Sequence, residues 1–165
     1  MTATSKFALP FLSPGQAQKE FTHNEALQTL DIVASLAVEE GPRIDPPASP
    51  LTGACYIVAA SATGAWAGQS QSVAGFTSGG WRFVTPVEGM SAYVKADSIW
   101  AVYRSGAWEL GVVRGSVVDI GGQQVIASRA AAIASAAGGT VIDSEARAVL
   151  DQILSALRHH GLIET

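Results

Sequence analysis

The sequence predicts an α+β fold, mainly β: an N-terminal helix, a small antiparallel β meander with barrel-like character, and a C-terminal oligomerisation helix. Three observations carry the prediction. Apolar residues recur at three- and four-residue spacing near each end. Between them lie short runs rich in β-branched and aromatic residues, punctuated by Gly, Ser and Asp. A proline-rich stretch with Pro42, Pro46, Pro47 and Pro50 separates the first helical pattern from the strands.

The elements follow in order. Ser13-Pro14-Gly15-Gln16 offers an N-cap serine with proline at the first helical position. A second start, Thr22-His23-Asn24-Glu25, matches a capping box with Phe21 placed before it. Leu27, Leu30, Ala34, Ala37 and Val38 continue the helical period to about Glu40, and Ile32, Val33 and Leu36 widen the apolar surface nearly all round. A helix of that kind has no wet side, so the expectation is a helix held between its own sheet and a neighbouring subunit. Residues 1–41 form a helical docking segment in this reading, and 41–50 a linker.

Residues 51–126 form the antiparallel β domain. Its strands are expected at Ala54–Ala59, Ser72–Thr77, Trp81–Thr85, Ser91–Lys95, Ile99–Tyr103 and Ala107–Leu110, with turns at Ser78-Gly79-Gly80 and Ser105-Gly106. More β signal lies at Val112–Ile120, interrupted by Gly121-Gly122 and resumed at Val125-Ile126. Residues 127–165 carry an extended arm and then a helix. Asp143 is a good N-cap, Glu145 suits the first turn, and Arg158, His159 and His160 suit the last. Ala146, Val149, Leu150, Ile153, Leu154 and Leu157 make an apolar seam, and Gly161 fits the left-handed position after the helix.

Composition narrows the class of function. Charged residues are 15% of the 165, against roughly 25% in ordinary soluble domains. Hydrophobic residues are 48%, and the mean hydropathy is +0.25. Such a balance predicts surface buried against sister subunits. The candidate interface residues are Leu27, Leu30 and Ala34 on the first helix and Val149, Leu150, Ile153, Leu154 and Leu157 on the last. No run approaches the ~18 apolar residues of a membrane span, and Met1 to Leu12 has no basic region followed by an apolar one, so neither membrane insertion nor a signal peptide is expected. The net charge is −4, with Lys and Arg scattered, which is no footprint for nucleic acid. Cys55, the one cysteine, sits in an apolar run and reads as a small buried hydrophobe.

No catalytic, metal or cofactor site is expected. His23 and Glu25 could form an acid–base pair, but the cap explains Glu25. Adjacent His159 and His160 point in different directions on a helix, and no further ligand follows at metal spacing. Asp45, Asp97, Glu109 and Asp119 make no recognisable hydrolase pair. Nucleotide-binding and nucleophile-elbow motifs are absent from the sequence. The tryptophans and tyrosines read first as core of a small β domain short of large aliphatics. The alternative is an exposed ring that stacks on sugars. Trp66, flanked by loop-like Gly64 and Gly68, is the candidate carbohydrate contact.

Two stretches resemble known material. Leu9-Pro10-Phe11-Leu12-Ser13-Pro14-Gly15-Gln16-Ala17-Gln18-Lys19-Glu20, continuing through Thr22 to Leu27, is similar to the N-terminal signature of an uncharacterised domain family. That family occurs in tail-fibre-like and spike-like proteins of alphaproteobacterial prophages and gene transfer agents. Its pattern continues in the proline-rich linker, Gly53 to Val58, Thr63 to Gly68 and Gly79 to Trp81. Gly138 to Ile163 resembles helical tails of phage-like structural proteins, where such tails oligomerise. The resemblance implies a non-enzymatic virion component made in the bacterial cytoplasm, without cofactors: a head-spike or fibre base, or an adaptor. Its partners would be copies of itself, as trimer or pentamer, together with other capsid or spike/fibre proteins. Host surface polysaccharide is a further candidate partner, through host attachment or through the alternative function of a carbohydrate-binding module. The chain ends soon after its last helix with no fibre repeat behind it, which favours a compact base over a complete fibre.

Overall fold

The computed structural model describes Thr4, Phe11 and residues 19–126 and 128–164, with the side chains of Lys19, Glu20 and Thr22 left aside. The expected helix start at Ser13–Gln16 and the opening of the signature lie outside the described residues. The fold is α+β and mainly β, in two compact units, Met1–Val112 and Val113–Thr165. No sheet closes into a barrel among the described residues.

In the first unit, helix α1 (Lys19–Val33) leads into strand β1 (Ala37–Val38). The helix already runs through Thr22, so Thr22 is no N-cap: Lys19 and Glu20 are good helix formers, and extending from them is easier than nucleating afresh. Glu25 is freed from capping and instead makes a two-pronged ion pair with Arg82, at 3.0 and 3.1 Å. The helical spacing read on to Glu40 fails after Val33. The Ala34 N–H makes a last helical bond to Leu30, and Ser35 takes a left-handed conformation at φ 48°. Ala37 and Val38 then pair in parallel with β5 (Ser91–Val94), where Val38 becomes fully buried. Strand pairing overrides a local spacing that fits helix and strand alike.

The proline-rich stretch is held against a strand. The Arg43 N–H donates to the Ile57 carbonyl at 2.9 Å, and the Ala59 N–H to the Arg43 carbonyl at 2.8 Å. Beyond it, β2 (Cys55–Ile57), β3 (Val73–Thr77) and β4 (Gly80–Val84) form an antiparallel sheet in the order β2-β3-β4. β5, β6 (Ile99–Arg104) and β7 (Ala107–Leu110) form a second antiparallel array, with β1 added at its edge. The six expected strands are all present, but they are sorted into two sheets instead of one meander.

Alternation along β2 and β3 explains the packing. Cys55, Ile57 and Val73 point to a core shared with Ile32, Leu36, Val38, Ala92, Val94, Ala101 and Trp108. Tyr56, Val58 and Ala74 point the other way, onto Trp66. This sheet is therefore buried on both faces, which is why its first strand reads as an unbroken apolar run. Trp108 locks the sheets together by donating its indole N–H to the Gln71 carbonyl at 2.8 Å.

In the second unit, β8 (Val118–Ile120) and β9 (Gln123–Ile126) form a hairpin around Gly121-Gly122. Residues 131–139 carry neither helix nor strand. Helix α2 (Ser144–His159) follows.

Candidate functional site

Helix α2 is built by its ends. The Asp143 carboxylate accepts from the Ala146 N–H at 2.8 Å and satisfies one of the orphan donors of the first turn. Beside it, the Ser144 hydroxyl donates to the Glu145 carboxylate and holds its pKa below the usual carboxylate range. At the other end Gly161 is left-handed at φ 68°. Its N–H donates to Arg158, and the Leu162 N–H donates back to Leu157, each at 2.9 Å. This closes the last carbonyls as the glycine predicts.

Part of the apolar face of α2 is covered. Leu154 is buried, and so is Ile163, where a short bridge pairs Ala130 with Ile163. Arg129 donates to the Ile163 carbonyl at 3.1 Å, while Arg147 and Arg158 reach the carbonyls of Gly138 and Ile133. The rest of the same apolar face is bare: Val149, Leu150 and Ile153 are 54%, 48% and 50% exposed. The predicted interface residues of this helix therefore divide. Those three face outward, Leu157 is half-buried, and Leu154 is taken up inside the chain. On α1, Leu30 is exposed and Leu27 half-buried, while Ala34 lies exposed just past the helix end.

Trp66 corrects an expectation. It is 0% exposed, so it offers no face to a sugar. The glycines at 64 and 68 do mark a loop, a single 3₁₀ turn at Gly64–Trp66, but that turn folds inward. The ring meets Trp81 edge-on at 5.0 Å and Tyr56 at 5.7 Å. The exposed tryptophan is Trp100, at 60%. It stands on the outer face of the four-stranded sheet and touches its cross-strand partner Tyr93 edge-on at 5.6 Å. Sequence reasoning missed it because Ile99-Trp100-Ala101-Val102-Tyr103 alternates without saying which face is covered.

Burial raises the pKa of Tyr56, and the Glu39 and Glu40 carboxylates add to the shift. Among the described residues, no three His, Cys, Asp or Glu side chains converge to hold a metal ion, and no helix is long and apolar enough to cross a membrane.

The first unit is thus a two-sheet α+β domain carrying a helix on one side. Residues 23–109 match the model of a family described as "Protein of unknown function (DUF2793)", and the chain belongs to that family. The match spans just over half the chain and ends at β7, within the first unit. No curated protein matches the chain.

Proposed function

We propose that this chain is a non-catalytic structural subunit that works as a homo-oligomer, a spike or fibre base or an adaptor in a phage-like particle. The observation that carries the oligomer is the composition of the second unit's surface. Among the described residues, thirteen large aliphatic residues between Val113 and Leu162 are exposed there, against Leu154 and Ile163 buried. The unit has no cysteine to staple it, and a core of two residues cannot hold about 50 residues folded. Its hairpin is exposed on both strands, and an isolated two-stranded hairpin is marginal in water.

A fully exposed aliphatic side chain presents on the order of 100 Å² of apolar surface. At the exposures found, the thirteen leave roughly 750 Å² bare, close to the ~800 Å² that each partner contributes to a standard interface. A second copy is the occupant that fits. Ala146, Val149 and Ile153 alternate three- and four-residue steps, the spacing by which like helices bundle around an axis. The particle part of the proposal is supported by the resemblance of Leu9 to Leu27 and of the glycine–tryptophan turns to spike-like and tail-fibre-like proteins. In that setting the partners are other capsid or spike proteins, and three or five copies meet on the axis.

Light scattering on the purified full chain tests the oligomer. The expected mass is a whole multiple, three or five, of 17.0 kDa. Ile153→Asp places a carboxylate in the seam and should weaken association by at least about a hundredfold. A folded wild-type monomer at micromolar concentration overturns the oligomer. Absence of the chain from purified particles of a producing cell overturns the particle assignment.

A further inference from the structure

We propose that the outer face of the four-stranded sheet, centred on Trp100, binds a neutral saccharide. Cross-strand partners share a face, so Ser91, Tyr93, Trp100, Val102, Arg104 and Glu109 all lie on this one. The opposite face carries Ala92, Val94, Ala101 and Trp108 into the core, which makes the strands beneath the platform rigid.

Four features point to the ligand. First, Trp100 is held, not floppy: Tyr93 braces it edge-on at 5.6 Å and 66°, the geometry that aromatic quadrupoles favour. Just past the end of β7, the Gly111 N–H donates to the Trp100 carbonyl at 2.8 Å. A preorganised indole face matches the row of electron-poor C–H groups on one side of a pyranose ring. Second, a cleft of about 430 Å³ opens beside it, lined by Val33, Ser35, Leu36, Ser91, Tyr93 and Trp100 among others. That size is in the range of small-ligand sites, and the Ser91 and Tyr93 hydroxyls are of the kind that pair with sugar hydroxyls.

Third, the face has no net charge to offer. None of the described residues lining the cleft is charged. The ionised side chains around it pair with each other, Arg104 with Glu109 at 3.0 Å and Lys95 with Glu39 at 2.7 Å. An anionic ligand would find no uncommitted cation in those pairs. Fourth, the patch is too small for a subunit contact. One tryptophan ring with parts of Tyr93 and Val102 exposes on the order of 200 Å², about a quarter of one partner's share of a standard interface. The apolar surface of the second unit as a whole, hairpin and helix together, is the one scaled for copies; this one is scaled for one or two sugar rings.

The test uses the full chain in affinity electrophoresis through dextran, mannan, galactan and β-glucan, with acrylamide quenching of tryptophan fluorescence as a second readout. Trp66 and Trp108 are buried and Trp81 half-buried, so quenching reports mainly on Trp100. The expected result is retardation by at least one of the four polymers, with protection from quenching. Trp100→Ala should weaken binding about tenfold or more, with Trp100→Phe intermediate and the oligomeric mass unchanged in both. Failure of all four polymers to bind overturns the proposal, as does wild-type binding by Trp100→Ala. A change of oligomeric mass in Trp100→Ala overturns it in favour of a contact between copies. The outcome is separable from the subunit reading, since Ile153→Asp should still be protected from quenching by a short oligosaccharide of the bound polymer.

Discussion

Gly75, at the middle of β3, lies directly against Ile32 of helix α1. Its backbone φ is ordinary for a strand, so alanine there would gain about 0.5–1 kcal/mol from reduced chain entropy if space allowed. Space does not allow it. A Cβ at 75 would lie 2.6 Å from both Cγ1 and Cδ1 of Ile32, where carbon atoms settle at about 3.5–4.0 Å. Ile32 is 4% exposed and packed in the shared core, so it cannot swing away. Overpacking of this kind costs about 1–3 kcal/mol, and the net expectation for Gly75→Ala is a loss of about 1–2 kcal/mol. Ile32→Ala alone should cost about 2–4 kcal/mol through lost burial and a cavity. In the Ile32→Ala background the same Gly75→Ala change meets no clash and fills part of the void, so its effect should be neutral or stabilising. The coupling between the two changes is then about 1–3 kcal/mol. Urea titration followed by tryptophan fluorescence measures it, because all four tryptophans lie between Trp66 and Trp108, inside the first unit. Additive effects within about 0.5 kcal/mol would show that α1 does not bear on β3, and the account of this core would fail.

Two further outcomes are expected. The raised pKa of Tyr56 means that the folded unit holds this proton more tightly than the unfolded chain does. Its contribution to stability is therefore complete below the usual tyrosine value near 10 and is lost as pH rises through the folded value. Alkaline melts of the wild type should fall above about pH 10 and Tyr56→Phe should flatten that fall; identical alkaline curves would refute the assignment. Asp143→Ala removes the side-chain acceptor at the start of α2 and should cost that helix about 1 kcal/mol. Hydrogen exchange at the Ala146 amide reads this locally, and unchanged protection would mean that the cap contributes nothing.

Much of the chain was legible because its signals are local. The strands around Ser78-Gly79-Gly80 and Ser105-Gly106 were readable from turn residues that dictate backbone geometry over four positions, and β3–β4 and β6–β7 form there. The second helix was readable at both ends, since Asp143 and Gly161 act on backbone groups within a few residues of themselves. Cys55 was readable as buried because apolar residues surround it on both sides along the chain.

Other features were settled only when distant segments met. Ala37 and Val38 fit a helix by spacing and became a strand because β5 supplied an open edge. Glu25 fits a cap by position and became the partner of Arg82, 57 residues away. The fates of Trp66 and Trp100 are the clearest case. Period-two alternation divides a strand's residues between two faces, and glycines mark a loop, but neither says what lies above. Trp66 is enclosed because its turn folds onto Tyr56 and Trp81, and Trp100 is bare because nothing in its own sheet crosses over it. Burial is a property of what packs on a side chain. It arises from tertiary contacts that short-range pattern does not encode, whereas backbone conformation at turns and caps arises from neighbours along the chain and can be read directly.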